Sequence, residues 1–228
     1  MSKPQDKASG SNRMDRRRLR TRTALMGAGQ RLFADRHFDG VTIDEIVDAA
    51  DVAKGSFYNH FEGKEGLAHA IIELVQGDCE REVFAVNRDV TDPSTRVARA
   101  MAVMIRYAKE HPDRYRAMVA LTGRQADMNA PINDGARRDI EQGLSAGQFK
   151  DIPVEIGVAM MQGMIAYAVE YFATERPAGA RKTVGKDMAL MLLRALGVPS
   201  DEAKPIAAKA FEDIIDSRST VEPDPDVS

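Results

Sequence analysis

The segment "VAKGSFYNHF", residues 52–61, concentrates polar groups and a glycine between apolar residues. Its polar side chains belong to Lys54, Ser56, Tyr58, Asn59 and His60. They supply hydrogen-bond donors, acceptors and a positive charge, which is the chemistry that contacts nucleic-acid phosphates and base edges. Gly55 lies among them, although glycine destabilises a helix by about 1 kcal/mol relative to alanine. The segment therefore predicts a surface that another molecule contacts, and a solvated helix that binds nothing is the alternative.

Positive charge is concentrated near the N-terminus. Residues 1–36 contain ten Lys and Arg residues but three acidic ones, whereas the whole chain has a net charge of −3. A basic N-terminus on a mildly acidic chain indicates contact with DNA or with a membrane surface. The arginine run 16–22 is either a solvated segment or a phosphate or minor-groove contact.

The residues that would support catalysis do not form a recognisable constellation. The histidines, His37, His60, His69 and His111, lack the spacing of a metal site, and no Gly-rich phosphate loop or nucleophile elbow occurs. Cys79 is the single cysteine, which excludes an intrachain disulfide and favours an inert thiol over a redox sensor. We therefore expect no enzyme activity, no cofactor and no metal.

Hydrophobic periodicity predicts an all-α chain. The predicted helices cover roughly residues 15–36, 42–50, a short segment around 54–60, 64–85, 94–110, 113–123, 131–145, 153–174, 180–196 and 201–216. Thr42 and Glu45 form a capping box, and Val41 and Ile46 a hydrophobic staple across it. We expect a disordered basic arm over 1–13, a head over 14–62, a connecting helix over 64–85, a body over 63–217 and a disordered acidic tail over 218–228.

Two short helices joined by a tight turn, the second rich in polar residues, indicate a helix-turn-helix that places its second helix in the major groove. Gly55 would then allow close approach to DNA, and Lys54 and Ser56 would reach bases or phosphates. Tyr58 and His60 would contact the flanking backbone. Phe57 and Phe61 would hold the helix to its neighbours. The remaining candidate DNA contacts are Thr42, Asn59, Lys64 and Arg17.

The segment "TALMGAGQRLFADRHFDGVTIDEIVDAADVAKGSFYNHFEGKEGLAHAII" resembles the DNA-binding region of TetR-family transcriptional regulators over about fifty residues. The matching residues are Phe33, Phe38, Gly40, Thr42, Ile43, Ile46, Ala49, Ala50, Val52, "KGSFYNHF", Lys64 and Leu67. The resemblance implies a dimer that binds operator DNA through its head and a small molecule in its body. Two departures are Ala53, where the family commonly has a capping Ser or Thr, and Gly66, where an acidic or polar residue is usual.

The body is rich in methionine, which adapts to varied apolar ligands. Candidate effector contacts are Met101, Met104, Tyr115, Met118, Phe149, Met160, Met164 and Tyr167, and a plain helical core is the alternative for each. The small residues Ala159, Gly163 and Ala166 lie on one stripe of the predicted 153–174 helix. They favour a two-fold four-helix dimer interface formed by this helix and the 180–196 helix. Packing within one chain is the alternative.

The sequence thus predicts a dimeric, ligand-responsive DNA-binding regulator. A repressor released from a palindromic operator by a small, largely apolar effector, with or without an acidic group, is favoured over an activator. A helical adaptor without a DNA role is the alternative from another class. The longest apolar run, 14 residues between Glu155 and Glu170, is shorter than the roughly 18 residues that a membrane span requires. We expect a cytoplasmic, nucleoid-associated protein with no membrane partner.

Overall fold

The computed structural model describes residues 7–122, 133–173 and 178–216, and their regular secondary structure is helical without any β-strand. The helices are α1 (Lys7–Asp35), α2 (Ile43–Ala49), α3 (Lys54–Tyr58), α4 (Lys64–Asn87), α5 (Pro93–Glu110), α6 (Pro112–Thr122), α7 (Asp134–Ser145), α8 (Val154–Ala173), α9 (Ala178–Ala195) and α10 (Ser200–Phe211). A 3₁₀ turn (Phe38–Gly40) precedes α2, and a π-helical turn (Glu212–Asp216) follows α10.

The described residues form two compact units. The first unit lies within Met1–Val75 and Asp113–Gln125. Its core consists of Leu25, Ala28, Phe33, Val41, Ile46, Val47, Phe57, Phe61, Leu67, Ala68, Ile71, Ala117 and Leu121. A Cβ atom on Gly29 of α1 would lie 2.9 Å from Cδ2 of Leu67 in α4. Glycine at position 29 therefore allows these two helices to pack at close range.

The second unit lies within Gln76–Pro112 and Ala126–Ser228 and is organised around α5, which contacts α7, α8, α9 and α10. The carboxylate of Asp92 caps α5 by accepting the backbone N–H of Thr95 at 2.8 Å, and Pro93 occupies the first turn, where its missing N–H is not needed. A Cβ atom on Gly185 of α9 would lie 2.6 Å from the Phe211 ring of α10, so α9 and α10 also require a glycine to pack.

The expected start of the first helix is wrong. Residues 1–13 were expected to be disordered and the helix to begin near Asp15, but α1 already begins at Lys7. Nucleation is the costly step of helix formation, and no proline lies between Lys7 and Asp15 to stop the helix. Residues 1–6 and the predicted acidic tail over 218–228 lie outside the described residues.

The boundary between head and body falls within the connecting helix α4, as expected, but further along it than the expected bounds. It follows Val75, so residues 63–75 group with the first unit rather than with the body. Helix α6 groups with the first unit as well, because its apolar residues Ala117 and Leu121 join the core of that unit.

Candidate nucleic-acid interface

The start of α2 is fixed by a hydrogen-bonded cap. The hydroxyl of Thr42 accepts the backbone N–H of Glu45 at 3.2 Å, and the Glu45 carboxylate accepts the Thr42 backbone N–H at 2.8 Å. Arg36 donates to the same carboxylate at 2.6 Å and to the carbonyl oxygen of Gly40. Hydrogen bonds from Arg36 and then from Thr42 lower the pKa of Glu45 to about 2. The predicted capping box is present, and the Thr42 side chain is part of it.

Buried aromatic residues hold α3 in place. Phe57 is fully buried and Phe61 is 5% exposed, with their ring centroids 5.6 Å apart. The turn before α3 contains Asp51 with a left-handed backbone (φ 52°), which Asp tolerates better than most residues. Ala53 precedes α3 without a side-chain cap, as its residue type led us to expect. A helix of five residues therefore depends on packing rather than on capping for its stability.

The opposite side of α3 faces solvent. Tyr58 is 54% exposed, so it is not a core tyrosine, and Asn59 and Gly55 are also exposed while Ser56 is half-buried. A Cβ atom on Gly55 would meet no atom within 4 Å, so the fold itself does not require a glycine there. Lys54 is exposed and forms an ion pair with Asp44 of α2, which raises the pKa of the lysine.

Arginines from α1 flank the C-terminal end of α3. Arg22 donates to the carbonyl oxygen of His60 at 3.3 Å, and its guanidinium lies 4.6 Å from the centre of the Phe61 ring. Partial burial, followed by the positive charges of Arg18 and Arg22, lowers the pKa of the half-buried His60. Every residue from 14 to 20 is exposed, Arg17 included. A positively charged surface thus lies beside the exposed side of α3.

Lys64, a predicted phosphate contact, binds groups of the protein itself in the structure. Its Nζ atom lies 2.7 Å from the carbonyl oxygens of both Phe38 and Val41, and 4.3 Å from the centre of the Phe38 ring. The side chain is half-buried. Lys64 therefore stabilises the turn between α1 and α2, because its ammonium group donates to two backbone carbonyl oxygens of that turn.

The second unit contains a cavity of about 390 Å³. Apolar and polar side chains line it: Cys79, Glu80, Val83, Phe84, Asn87, Arg88, Arg96, Ala100, Met104, Asp134, Gly135, Ala136, Arg138, Asp139, Met161, Gln162 and Ile165. Inside this lining, Nε of Arg96 lies 2.6 Å from Oδ1 of Asp139. Burial raises the pKa of Asp139 against the opposing effect of Arg96. The volume is within the range of pockets for small molecules.

Of the eight predicted effector contacts, the structure places one, Met104, in the cavity wall. Met101 is fully buried, and Phe149 packs against Gly143, where a Cβ atom would lie 2.2 Å from the ring. Tyr115 and Met118 belong to α6 of the first unit. The other three lie on α8 at half-buried or exposed positions: Met160, Met164 and Tyr167.

Cys79 is fully buried, and burial, followed by the charges of Glu82, Asp78 and Glu80, raises the pKa of its thiol to about 12. Because the thiolate is the reactive form, this thiol is unreactive at neutral pH. Within the described ranges no group of three or more His, Cys, Asp or Glu side chains could hold a metal ion. None of the described helices is long and apolar enough to cross a bilayer.

Two family models match successive parts of this chain. The model for bacterial regulatory proteins of the tetR family matches residues 25–71. The model for tetracyclin repressor-like C-terminal domains matches residues 92–209, more than half of the chain. The chain belongs to the TetR family. It is a helix-turn-helix transcriptional regulator. The members of this family are DNA-binding regulators rather than enzymes.

Individual relatives include repressors. The transcriptional repressor DhaR of Mycobacterium sp. (strain GP1) is 34% identical over 35% of this chain and 40% of its own length. The repressor KstR2 of Rhodococcus jostii (strain RHA1) is 24% identical over 78% of this chain and 92% of its own. A γ-butyrolactone receptor, an ArpA-like protein, superposes with a TM-score of 0.66 at 26% identity, covering 87% of this chain and 99% of the receptor.

Sequence reasoning missed the polar wall of the cavity. Arg96 and Asp139 are 43 positions apart, on α5 and α7. No local spacing rule relates residues this distant, and each reads alone as an ordinary surface charge on an amphipathic helix. The signal available in the sequence was that each of them directly precedes an apolar residue of its helix, Val97 or Ile140. Both of these residues are buried in the structure.

Proposed function

We propose that this TetR-family regulator is a repressor that binds a two-fold symmetric operator as a homodimer and leaves it when a small molecule enters the second unit. The observation that supports DNA contact best is the two-sidedness of α3. One side is fixed by buried Phe57, while Tyr58 on the other side is 54% exposed. A helix that anchors itself with aromatic side chains and presents polar ones suits insertion into the major groove.

The proposed contacts follow from this exposed side. Lys54, Ser56 and Asn59 would reach base edges or phosphates, and Tyr58 and His60 would contact the backbone on either side of the groove. Arg17 would add a phosphate contact from α1. Such phosphate contacts give affinity and salt dependence, whereas contacts to base edges give sequence choice.

Dimerisation is proposed through the outer side of α8. Ile156 and Tyr167 are 51% and 60% exposed, which is unusual for apolar residues on a long helix. Between them Ala159, Gly163 and Ala166 are exposed at helical spacing and permit close helix–helix approach. Met191 of α9, 42% exposed, extends the apolar area. A two-fold dimer would place its half-sites about 34–36 Å apart, or at a multiple of that distance.

The regulatory step is proposed to follow from differential binding. A molecule in the cavity can release the operator only if it binds the released state more tightly than the DNA-bound state. The names of DhaR and KstR2 as transcriptional repressors support repression over activation. A protein with this function acts in the cytoplasm, at the nucleoid.

The test is selection of duplexes from a random DNA pool by the purified full chain, followed by fluorescence anisotropy as a function of salt. A palindromic site bound with steep salt dependence is the expected result. In transcription assays on the promoter that carries this site, the protein should lower transcript yield. Higher yield would identify an activator, and the absence of any enriched site would contradict the DNA-binding role.

Dimerisation is tested separately by sedimentation. Tyr167→Asp should give monomers at concentrations where the unmodified chain is a dimer. Met14→Asp, which changes a 75% exposed methionine on α1, is the matched control and should leave the mass unchanged. A dimer that persists in Tyr167→Asp would rule out the α8 surface.

A further inference from the structure

The cavity of the second unit combines an apolar wall with one partly buried ion pair, between Arg96 and Asp139. Ala100, Met104, Met161 and Ile165 supply apolar surface. We propose that the cavity binds an uncharged molecule with an apolar body, whose hydroxyl group hydrogen-bonds to Arg96 and Asp139 together. This proposal depends on the proposed function in one respect, namely that the bound molecule is the effector that releases the operator.

The ion pair argues against a charged ligand. The Asp139 side chain is 5% exposed and that of Arg96 is 30% exposed, with 2.6 Å between Nε and Oδ1. Their charges compensate each other, so a carboxylate or ammonium group placed beside them would leave one charge unpaired in a poorly solvated site. A neutral effector is therefore favoured over one that carries an acidic group, which the sequence left open.

The other charged residues of the lining do not select a charge. Glu80 and Asp134 carry negative charges, and Arg88 and Arg138 carry positive ones. All four are exposed, so water screens them. Their charges also cancel, and the cavity presents no net attraction to either sign.

Hydrogen-bonding capacity points to a hydroxyl group. Arg96 uses Nε for Asp139 and Nη1 for the carbonyl oxygens of Asn87 and Val90, at 3.3 and 3.2 Å. Its Nη2 atom has no partner among the described residues, and Oδ2 of Asp139 accepts no hydrogen bond from them. Guanidinium groups only donate and carboxylates only accept. A hydroxyl group satisfies both with one atom, since it accepts from the arginine and donates to the aspartate.

The test compares ligands that share a skeleton and differ in one group. The probes are 4-propylphenol, 4-propylbenzoate, 4-propylbenzylamine and propylbenzene, with 1-octanol, octanoate and octylamine as an aliphatic set. They are titrated calorimetrically into the full chain without DNA. In at least one set the hydroxylated member should bind about ten-fold or more tightly than its charged partners. Charged members that bind equally well or better, or a failure of both hydroxylated members to bind, would overturn the proposal.

Two variants locate the binding group. Asp139→Asn keeps the shape of the side chain but leaves Arg96 without its counter-charge, so preference should shift from the hydroxylated member to the carboxylate. Ala100→Leu fills the apolar wall and should abolish binding of every probe. Ala85→Leu, at an exposed position of α4 outside the cavity lining, is its matched control and should bind as the unmodified chain does.

If Asp139→Asn does not fold, two other results still decide the outcome. The first is the ligand preference of the unmodified chain, and the second is the difference in binding between Ala100→Leu and Ala85→Leu. Unchanged binding in Ala100→Leu would refute the location. Operator affinity is measured on the same preparations. Loss of operator binding with the hydroxyl preference intact would refute the proposed function alone, whereas operator binding without that preference would refute this inference alone.

Discussion

Lys54 of α3 lies 2.6 Å from Asp44 of α2, measured from Nζ to Oδ1, and both side chains are more than half exposed. This ion pair joins the two helices of the helix-turn-helix on the side proposed to face DNA. Because exposed ion pairs contribute little to stability, the lysine can exchange the carboxylate for a phosphate at small cost. The aspartate then remains close to the phosphate backbone and repels it.

Asp44→Asn should therefore tighten operator binding by about two- to five-fold at low salt, because one repulsive charge and one competitor for Lys54 are removed. Anisotropy titrations on the selected duplex measure the change. Asp48→Asn, an exposed aspartate one turn further along α2, is the control for the loss of a negative charge. Equal gains in the two variants would mean that the ion pair has no specific role.

Gly55→Ala separates the needs of the fold from those of DNA binding. The added methyl group meets open space, so the free energy of unfolding should stay constant or rise by up to about 1 kcal/mol. Operator affinity should fall by about ten-fold or more if α3 approaches DNA closely at this residue. Gly66→Ala is the matched control, since its methyl group would make an ordinary contact of 4.0 Å with Phe61. Intact affinity in Gly55→Ala would contradict the close approach.

Lys64→Met should destabilise the first unit by about 1–3 kcal/mol, because two backbone carbonyls lose their charged donor. The salt dependence of operator binding should not change. Lys54→Met should give the reverse pattern, with stability retained and the salt slope reduced by about one phosphate contact. Chemical denaturation and salt titration of both variants provide the comparison. A lower salt slope in Lys64→Met would restore the phosphate contact expected from sequence.

Glu45 predicts an acid-sensitive cap on α2. The fold lowers its pKa from 4.5 to about 2, so the folded state favours the carboxylate. The resulting stability is complete above pH 4.5 and is lost as pH falls toward 2. Thermal midpoints measured between pH 7 and pH 2.5 should therefore drop less in Glu45→Gln than in the unmodified chain. Parallel curves for the two proteins would show that the cap does not titrate as described.

Local signals made much of the first unit predictable. The capping box depends on Thr42 and Glu45, three positions apart, and the anchoring of α3 on Phe57 and Phe61, four positions apart. Helix geometry turns such spacings directly into contacts. The exposure of Tyr58 follows from the same periodicity once its neighbours are buried.

Long-range partners could not be predicted in this way. Lys64 is separated from Phe38 by 26 positions, and its charge alone suggested a phosphate rather than a backbone carbonyl. Phe149 was assigned to the ligand pocket because it is aromatic, yet its ring fills the space left by Gly143. In both cases the decisive information is which distant residue the fold brings near, and composition does not encode it.

The buried thiol of Cys79 makes this regulator convenient for site-directed labelling. Maleimides react with thiolates, and a pKa of about 12 leaves almost none at neutral pH. A cysteine introduced at an exposed position outside the proposed contacts, such as Met14 or Val119, would therefore be the one thiol to react, without removal of Cys79. Spin labels or fluorophores placed there would follow operator release and subunit association in a chain whose core is unaltered.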